Sequence, residues 1–228
     1  MVQRIVLESV DSTNSWAKRE PLLEPTCVIA KEQTGGRGRY GNQWLSPSSC
    51  NLYLTYAEPE RFSLITYLQA SALALQKAVA SYGISAQIKW PNDLLVDGKK
   101  LAGILVEGTT KNDAPWAIVG IGLNVNMDKT HLRSLDRPAT SLALCLDTPL
   151  SLQSVQESVL SELLSVLQTT DIEQRWKKEC SWITGESITV RTSTQQITGV
   201  VKKVCPSGEL LLKLEDGSII TLSQGEIL

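Results

Sequence analysis

Two stretches hold most of the residue types that could do chemistry. Residues 33–44 read QTGGRGRYGNQW, and residues 89–107 read KWPNDLLVDGKKLAGILVE. In the first, Arg37 and Arg39 are fixed positive forks for phosphate or carboxylate. The glycines around them let a backbone approach a ligand closely, and Trp44 offers a face on which a flat ring can stack. In the second, Lys89, Asn92, Asp93 and Lys100 flank a turn. Two lysines and one acid near a hairpin suit a phosphate or acyl-phosphate group. The bland readings stand beside these: a solvated turn with a core tryptophan, and a solvated hairpin. Spacing alone does not separate them.

The glycine-rich stretch matches neither common nucleotide motif. No Lys-Ser or Lys-Thr follows the glycines, so it is not a P-loop, and Gly35, Gly36, Gly38 and Gly41 do not have dinucleotide-fingerprint spacing. What remains is a mobile loop with local positive charge. His131 is the only histidine and lies near no evident nucleophile. A catalytic unit built on imidazole is therefore disfavoured, and metal sites made of histidine clusters are excluded. Activation of a carboxylate by a nucleotide needs no imidazole, because positioning and charge neutralisation supply most of the catalysis. A third stretch, GIGLNVN at residues 120–126, places glycines inside a strand, where a ligand or a neighbouring backbone can come close.

Patterning predicts the elements that carry these residues. RIVLESV (4–10) and CVIAKEQ (27–33) read as strands, with Asp11, Ser12 and Thr13 as helix caps between them. NLYLTYA (51–57) alternates as a strand does. Leu64, Leu68, Ala72, Leu75 and Val79 form one face of a helix that Gly83 can end. QIKW and the long run after Asn92 are strands about an Asp97-Gly98 turn, and residues 116–126 are apolar enough for a central strand. Residues 128–149 read as irregular. Helices follow at about 151–168 and from DIEQRWKKEC. From Glu186 onward, short β segments with Ser207-Gly208 and Asp216-Gly217 turns predict a small barrel. The expected division is a catalytic unit at residues 1–183 and a β unit at 184–228.

Composition limits the function. The 228-residue chain has 22 Lys+Arg against 24 Asp+Glu, a net charge of −2, which argues against a dedicated nucleic-acid binder. Its five cysteines form no C-x-x-C pair and read as reduced thiols of a cytoplasmic protein. No signal peptide or membrane span is evident.

In order and spacing, DSTN (11–14), QTGGRGRYGNQW, KWPNDLLVDGKKLAGILVE and GIGLNVN together closely resemble the biotin–protein ligase family, the biotin–[acetyl-CoA-carboxylase] ligases. The likeness continues more loosely through DRPATSL to GSIITLSQGEI near the C-terminus. The resemblance implies an α+β fold: a mixed sheet with helices, as in class II aminoacyl-tRNA synthetase and lipoate ligase domains, then an SH3-like barrel. It implies that biotin and Mg-ATP give biotinyl-5′-adenylate, and that a lysine of a biotin carboxyl carrier protein then takes the biotin. By motif, Lys100, Arg39 and Asp93 are the catalytic candidates. Ser12, Thr13, Asn14, Gln33, Arg37, Gly38, Arg39, Lys100, Gly103, Leu105 and Gly120 match the biotin side. Arg37, Arg39, Trp44, Lys89, Asn92, Lys100 and Asn124 match the adenylate side. The Mg²⁺ ligands are not assigned. Only ten residues precede Asp11, so the expectation is a ligase without a DNA-binding domain, without DNA or membrane partners, and with a homodimer through the sheet as the family analogue. The alternative is a lipoate–protein ligase or octanoyltransferase on the related fold.

Overall fold

The computed structural model describes residues 2–135 and 137–228, and the side chain of Ser181 is not described. Asp136, in the DRPATSL stretch, thus lies outside the described residues. A seven-stranded sheet organises the first part. Its strands are β1 (Gln3–Val10), β2 (Thr26–Gln33), β3 (Leu52–Pro59), β4 (Gln87–Lys89), β5 (Asp93–Val96), β6 (Lys99–Lys111) and β7 (Ala114–Leu123), in the order β1-β2-β3-β7-β6-β5-β4. Only β1 and β2 run parallel, joined by the helix α1 (Thr13–Arg19); every other neighbour is antiparallel. The sheet is therefore mixed, as expected.

The middle strands are covered on both faces. On one, α2 (Leu64–Ala80), α5 (Leu152–Val166) and α6 (Ile172–Cys180) bury Cys27, Leu54, Val119 and Ile121. On the other, α1 sets Ala17 against Val28, Ala57 and Ile118. The strand expected at residues 51–57 is β3, and it is buried from Leu52 through Glu58. The stretch 128–149, expected to be irregular, holds two short helices, α3 (Lys129–Arg133) and α4 (Leu142–Leu146). Asp128 and Ser141 cap them by accepting from the backbone N–H groups three residues on. Asp147, at φ 52°, stops the second.

The C-terminal strands β8 (Ser187–Arg191), β9 (Gln196–Val204), β10 (Leu210–Lys213), β11 (Ile219–Leu222) and β12 (Glu226–Ile227) form an antiparallel sheet in the order β11-β10-β9-β8-β12. Its buried Val190, Val201, Leu210 and Leu212 continue the main core. Indole N–H groups stitch it to the larger sheet, Trp90 donating to Gly208 O at 2.8 Å and Trp182 to Ile88 O at 2.9 Å. Among the described residues, no helix is long and apolar enough to cross a membrane.

Candidate active site

An open cavity of about 670 Å³ lies where α1, the glycine-rich loop, β5–β7 and the end of β12 meet. All sixteen residues singled out from sequence line it: Ser12, Thr13, Asn14, Gln33, Arg37, Gly38, Arg39, Trp44, Lys89, Asn92, Asp93, Lys100, Gly103, Leu105, Gly120 and Asn124.

At one end the side chains of Ser12, Thr13, Asn14 and Gln33 are polar and uncharged. Ser12 caps α1, its hydroxyl accepting from Ser15 N–H at 3.4 Å. Gln33, at the end of β2, ties this helix start to the loop: its Oε1 accepts from Thr13 N–H at 2.9 Å and Thr13 Oγ1 at 3.1 Å, while its Nε2 donates to Ser46 Oγ at 2.9 Å. Asn14 Oδ1 accepts from Thr55 Oγ1 at 2.7 Å, and its Nδ2 donates to Leu105 O at 3.1 Å. A Cβ on Gly120 would stand 2.4 Å from Asn14 Oδ1, so only glycine lets the amide lie on β7.

The loop between the two ends is more ordered than its composition predicts. Arg37 and Gln43 form an antiparallel bridge, Trp44 N–H donates to Gly36 O at 2.9 Å, and Gly38 N–H donates to Asn42 O at 2.7 Å. The result is a miniature hairpin whose tip is the turn Arg39–Gly41, with Tyr40 at φ 56° and Gly41 at φ 76°. A Cβ on Gly36 would lie 2.5 Å from Trp44 O, so that glycine closes the hairpin. Arg37 donates to Ser15 Oγ at 3.0 Å, and Arg39 turns the other way, to Gly225 O at 3.0 Å and Asn92 Oδ1 at 3.3 Å.

The other end is cationic. Lys100 Nζ lies 2.8 Å from Asp93 Oδ1 and 5.3 Å from the Trp44 ring centroid. The Asp93 contact is an ion pair rather than an aligned hydrogen bond, because Oδ1 has no hydrogen-bond partner. Lys89 Nζ donates to Ile227 O at 2.8 Å. Burial pushes the Lys89 ammonium below its ordinary pKa, with Asp93 opposing and Arg137 and Lys100 adding to the fall. Burial likewise lowers the Arg39 pKa, against Tyr40 and Asp93. Asn124 is spent on the fold, donating to Thr140 O at 3.0 Å, which straps residues 138–140 against Lys100.

Trp44 lies flat on the glycines of β6 and β7. Its ring carbons would be 2.9 Å from a Cβ at Gly103 and 2.4 Å from one at Gly122. Its Nε1 is buried with no hydrogen-bond partner, a donor aimed at nothing in the chain itself. Sequence reasoning missed Gly122, Glu107 behind the wall, and the contributors from beyond residue 130. Glu226 on β12 lines the cavity between Arg137 and Arg191 and pairs with both. The glycine of GIGLNVN was signal enough for Gly122; Glu226 falls in the GSIITLSQGEI stretch of looser family likeness, to which no chemistry had been assigned.

A hydrogen-bonding end without charge on its Ser12–Asn14 and Gln33 groups and a cationic end holding Lys89 and Lys100 suit a ligase that joins a carboxylic acid to a nucleotide phosphate. Comparison with known proteins narrows this. Residues 6–124 match the biotin/lipoate A/B protein ligase family, and residues 183–228 match the biotin protein ligase C-terminal domain. The biotin--[acetyl-CoA-carboxylase] ligase of Paracoccus denitrificans is 30% identical over 232 residues, 91% of this chain and 93% of the relative. The bifunctional ligase/repressor BirA of Escherichia coli is 29% identical, over 97% of this chain and 72% of the relative. The solved biotin protein ligase from Aquifex aeolicus in complex with biotin and ATP superposes with a TM-score of 0.83 at 27% identity, covering 99% of this chain and 97% of that one. The chain belongs to the biotin/lipoate A/B protein ligase family, and its C-terminal match and named relatives set it among the biotin ligases.

Proposed function

We propose that this chain activates biotin with ATP to biotinyl-5′-adenylate and transfers the biotin to a lysine of a biotin carboxyl carrier protein. The observation that carries this reading is the single cavity with a polar end at Ser12–Asn14 and a cationic end at Arg39, Lys89 and Lys100. In the first step a biotin carboxylate oxygen attacks the α-phosphorus of ATP, and pyrophosphate leaves. The two anions repel, and a lysine ammonium between them offsets that repulsion most where charge concentrates in the transition state. Lys100 has that place, supported on Trp44 and Asp93. Ser12, Thr13, Asn14 and Gln33 hold the biotin head, and Gly38, Gly103, Leu105 and Gly120 leave room for the rest. Arg39, Lys89 and Asn92 face the nucleotide, with Arg37 and Asn124 closing the cavity and Trp44 as the wall against adenine.

In the second step the carrier lysine attacks the mixed anhydride and AMP leaves. Asp93, beside the reacting carbonyl, is the carboxylate placed to orient that amine. Alternatively Asp93, a carboxylate of the cavity wall, would help hold a Mg²⁺ carried mainly by the ATP phosphates, where the ion would neutralise phosphate charge. We further read residues 1–183 and 184–228 as catalytic and C-terminal units, the setting as cytoplasmic, and the exposed edge strand β1, with Val6 61% accessible, as the face for a homodimer.

The test is biotin transfer to a carrier domain with and without ATP, run beside ATP–pyrophosphate exchange with biotin and with lipoate. Biotin-dependent exchange supports the reading. Exchange with lipoate alone would replace it by the lipoate ligase alternative.

A further inference from the structure

Glu107 has no part in the chemistry above, and it does not line the cavity. It continues the β6 stripe of Gly103 and Leu105, which line the cavity together with Ile104, while the side chains of Ile104 and Val106 join the main core. Its side chain is only 19% exposed, yet three groups converge on it. Oε1 accepts from Lys18 Nζ at 2.5 Å, Oε2 accepts from Asn14 Nδ2 at 2.9 Å, and Oε2 lies 3.5 Å from Arg37 NH2. One carboxylate thus touches the biotin-side helix twice and the glycine-rich loop once.

The loop has a problem that this carboxylate answers. Arg37 and Arg39 are two residues apart, and along an extended chain such residues point to the same side. Two like charges would then crowd one end of the cavity. In the structure they part. Arg37 lies against Ser15 and Glu107, and Arg39 reaches Gly225 and Asn92. Resting on the biotin-and-ATP reading, we propose that Glu107 is a positioning residue: it fixes the Asn14 amide and holds Arg37 at the acyl end, leaving Arg39 to serve the nucleotide. Burial would raise the Glu107 carboxyl, but hydrogen bonds from Lys18 and Asn14 and the Lys18 and Arg37 charges outweigh it and hold it below its usual range. The group is an anion throughout neutral pH.

The experiment is Glu107→Gln in the full chain, which keeps size and an acceptor for Asn14 and removes the charge. The Arg37–Glu107 pair is partly solvated, so its loss should raise the KM for biotin and the release rate of biotinyl-adenylate about two- to five-fold. The KM for ATP and the melting temperature should stay near wild type. In the Arg37→Ala background, Glu107→Gln should add nothing to adenylate release. Effects that multiply, or a wild-type biotin KM in E107Q, would overturn the proposal. A parallel rise of both KM values with a falling melting temperature would also overturn it, since that is the pattern of a merely structural anchor. Lys18→Met guards against a variant that fails to fold. It removes the helix anchor but leaves Arg37 paired, so an unchanged biotin KM supports the proposal, and a loss equal to that of E107Q refutes it. A wild-type chain that forms no biotinyl-adenylate would instead bring down the reading of the reaction itself.

Discussion

Arg39 should matter far more to the intermediate than to the fold. Its guanidinium donates to the Gly225 carbonyl, the Asn92 amide oxygen and the Tyr40 hydroxyl, at 3.0, 3.3 and 3.2 Å, and lies 5.0 Å from the Tyr40 ring centroid. All of these partners are neutral, and among the described residues no carboxylate comes within ion-pair distance. A partly buried cation with neutral hydrogen-bond partners keeps a desolvation cost that the more distant Asp93 charge offsets only in part and an incoming anion would relieve. In Arg39→Ala, folding loses hydrogen bonds from a charged donor, worth at most about 1.5–3 kcal/mol each where buried and less where solvated, but sheds a desolvated charge, so the loss is offset in part. Retention of the adenylate loses a charge-assisted contact of about 1.5–3 kcal/mol, or roughly 10- to 150-fold in release rate. Thermal unfolding measures the first quantity, and chase of preformed biotinyl-adenylate with unlabelled biotin and ATP measures the second. An unchanged release rate, or a melting temperature that falls by many degrees, would refute the reasoning.

Three further outcomes follow from other contacts. Lys100→Ala should slow adenylate formation by about 10²–10³-fold while leaving transfer from added biotinyl-adenylate less affected; near-normal pyrophosphate exchange would contradict the assigned role. Gly122→Ala puts a methyl 2.4 Å from the Trp44 ring, so the indole must leave its seat, costing about 1–3 kcal/mol and raising the ATP KM; unchanged Trp fluorescence and KM would show that the strand yields instead. Bidentate bonds from Arg19, at 2.6 and 2.8 Å, lower the Asp11 carboxyl from its ordinary 3.8 to about 2. Its contribution to stability is thus complete above the unfolded value and drains as pH falls toward 2, so Asp11→Asn should flatten the stability–pH curve between about pH 4 and 2 and nowhere else.

What the sequence made legible follows the range of the interactions involved. Local rules placed Ser12 as a cap, Asp97-Gly98 as a hairpin turn at φ 49° and 72°, and the α2 stripe, because each depends on residues within one or two turns. Burial of β3 on both faces was not legible. It arises because α1 returns across the sheet, and an alternating strand pattern cannot reveal what a distant helix covers. The loop also differed from its composition. Glycines at 35, 36, 38 and 41 read as mobility, but two of them are structural: Gly36 lets the hairpin close on Trp44 O, and Gly41 takes the φ of 76° at its tip.

The C-terminal contribution explains why the cationic end needs two parts of the chain. Lys89 and Arg39 carry their charge into a partly buried place, and a carboxylate paired with either would cancel charge that a nucleotide requires; Asp93, the carboxylate beside them, pairs with Lys100 instead. Backbone carbonyls cancel no charge. Ile227 O and Gly225 O accept from the two cations, orienting them while leaving them positive. The one nearby carboxylate on the same segment, Glu226, is engaged by Arg137 and Arg191 and so does not compete. A short edge strand, β12, supplies this arrangement because it pairs only with β8, through two residues, and its remaining polar groups are free to face the cavity. The lysine and arginine of the sequence motifs are thus half of the device. The other half is a strand end more than a hundred residues away, whose chemistry is main chain, so the residue types of GSIITLSQGEI resemble the family without showing what that stretch does.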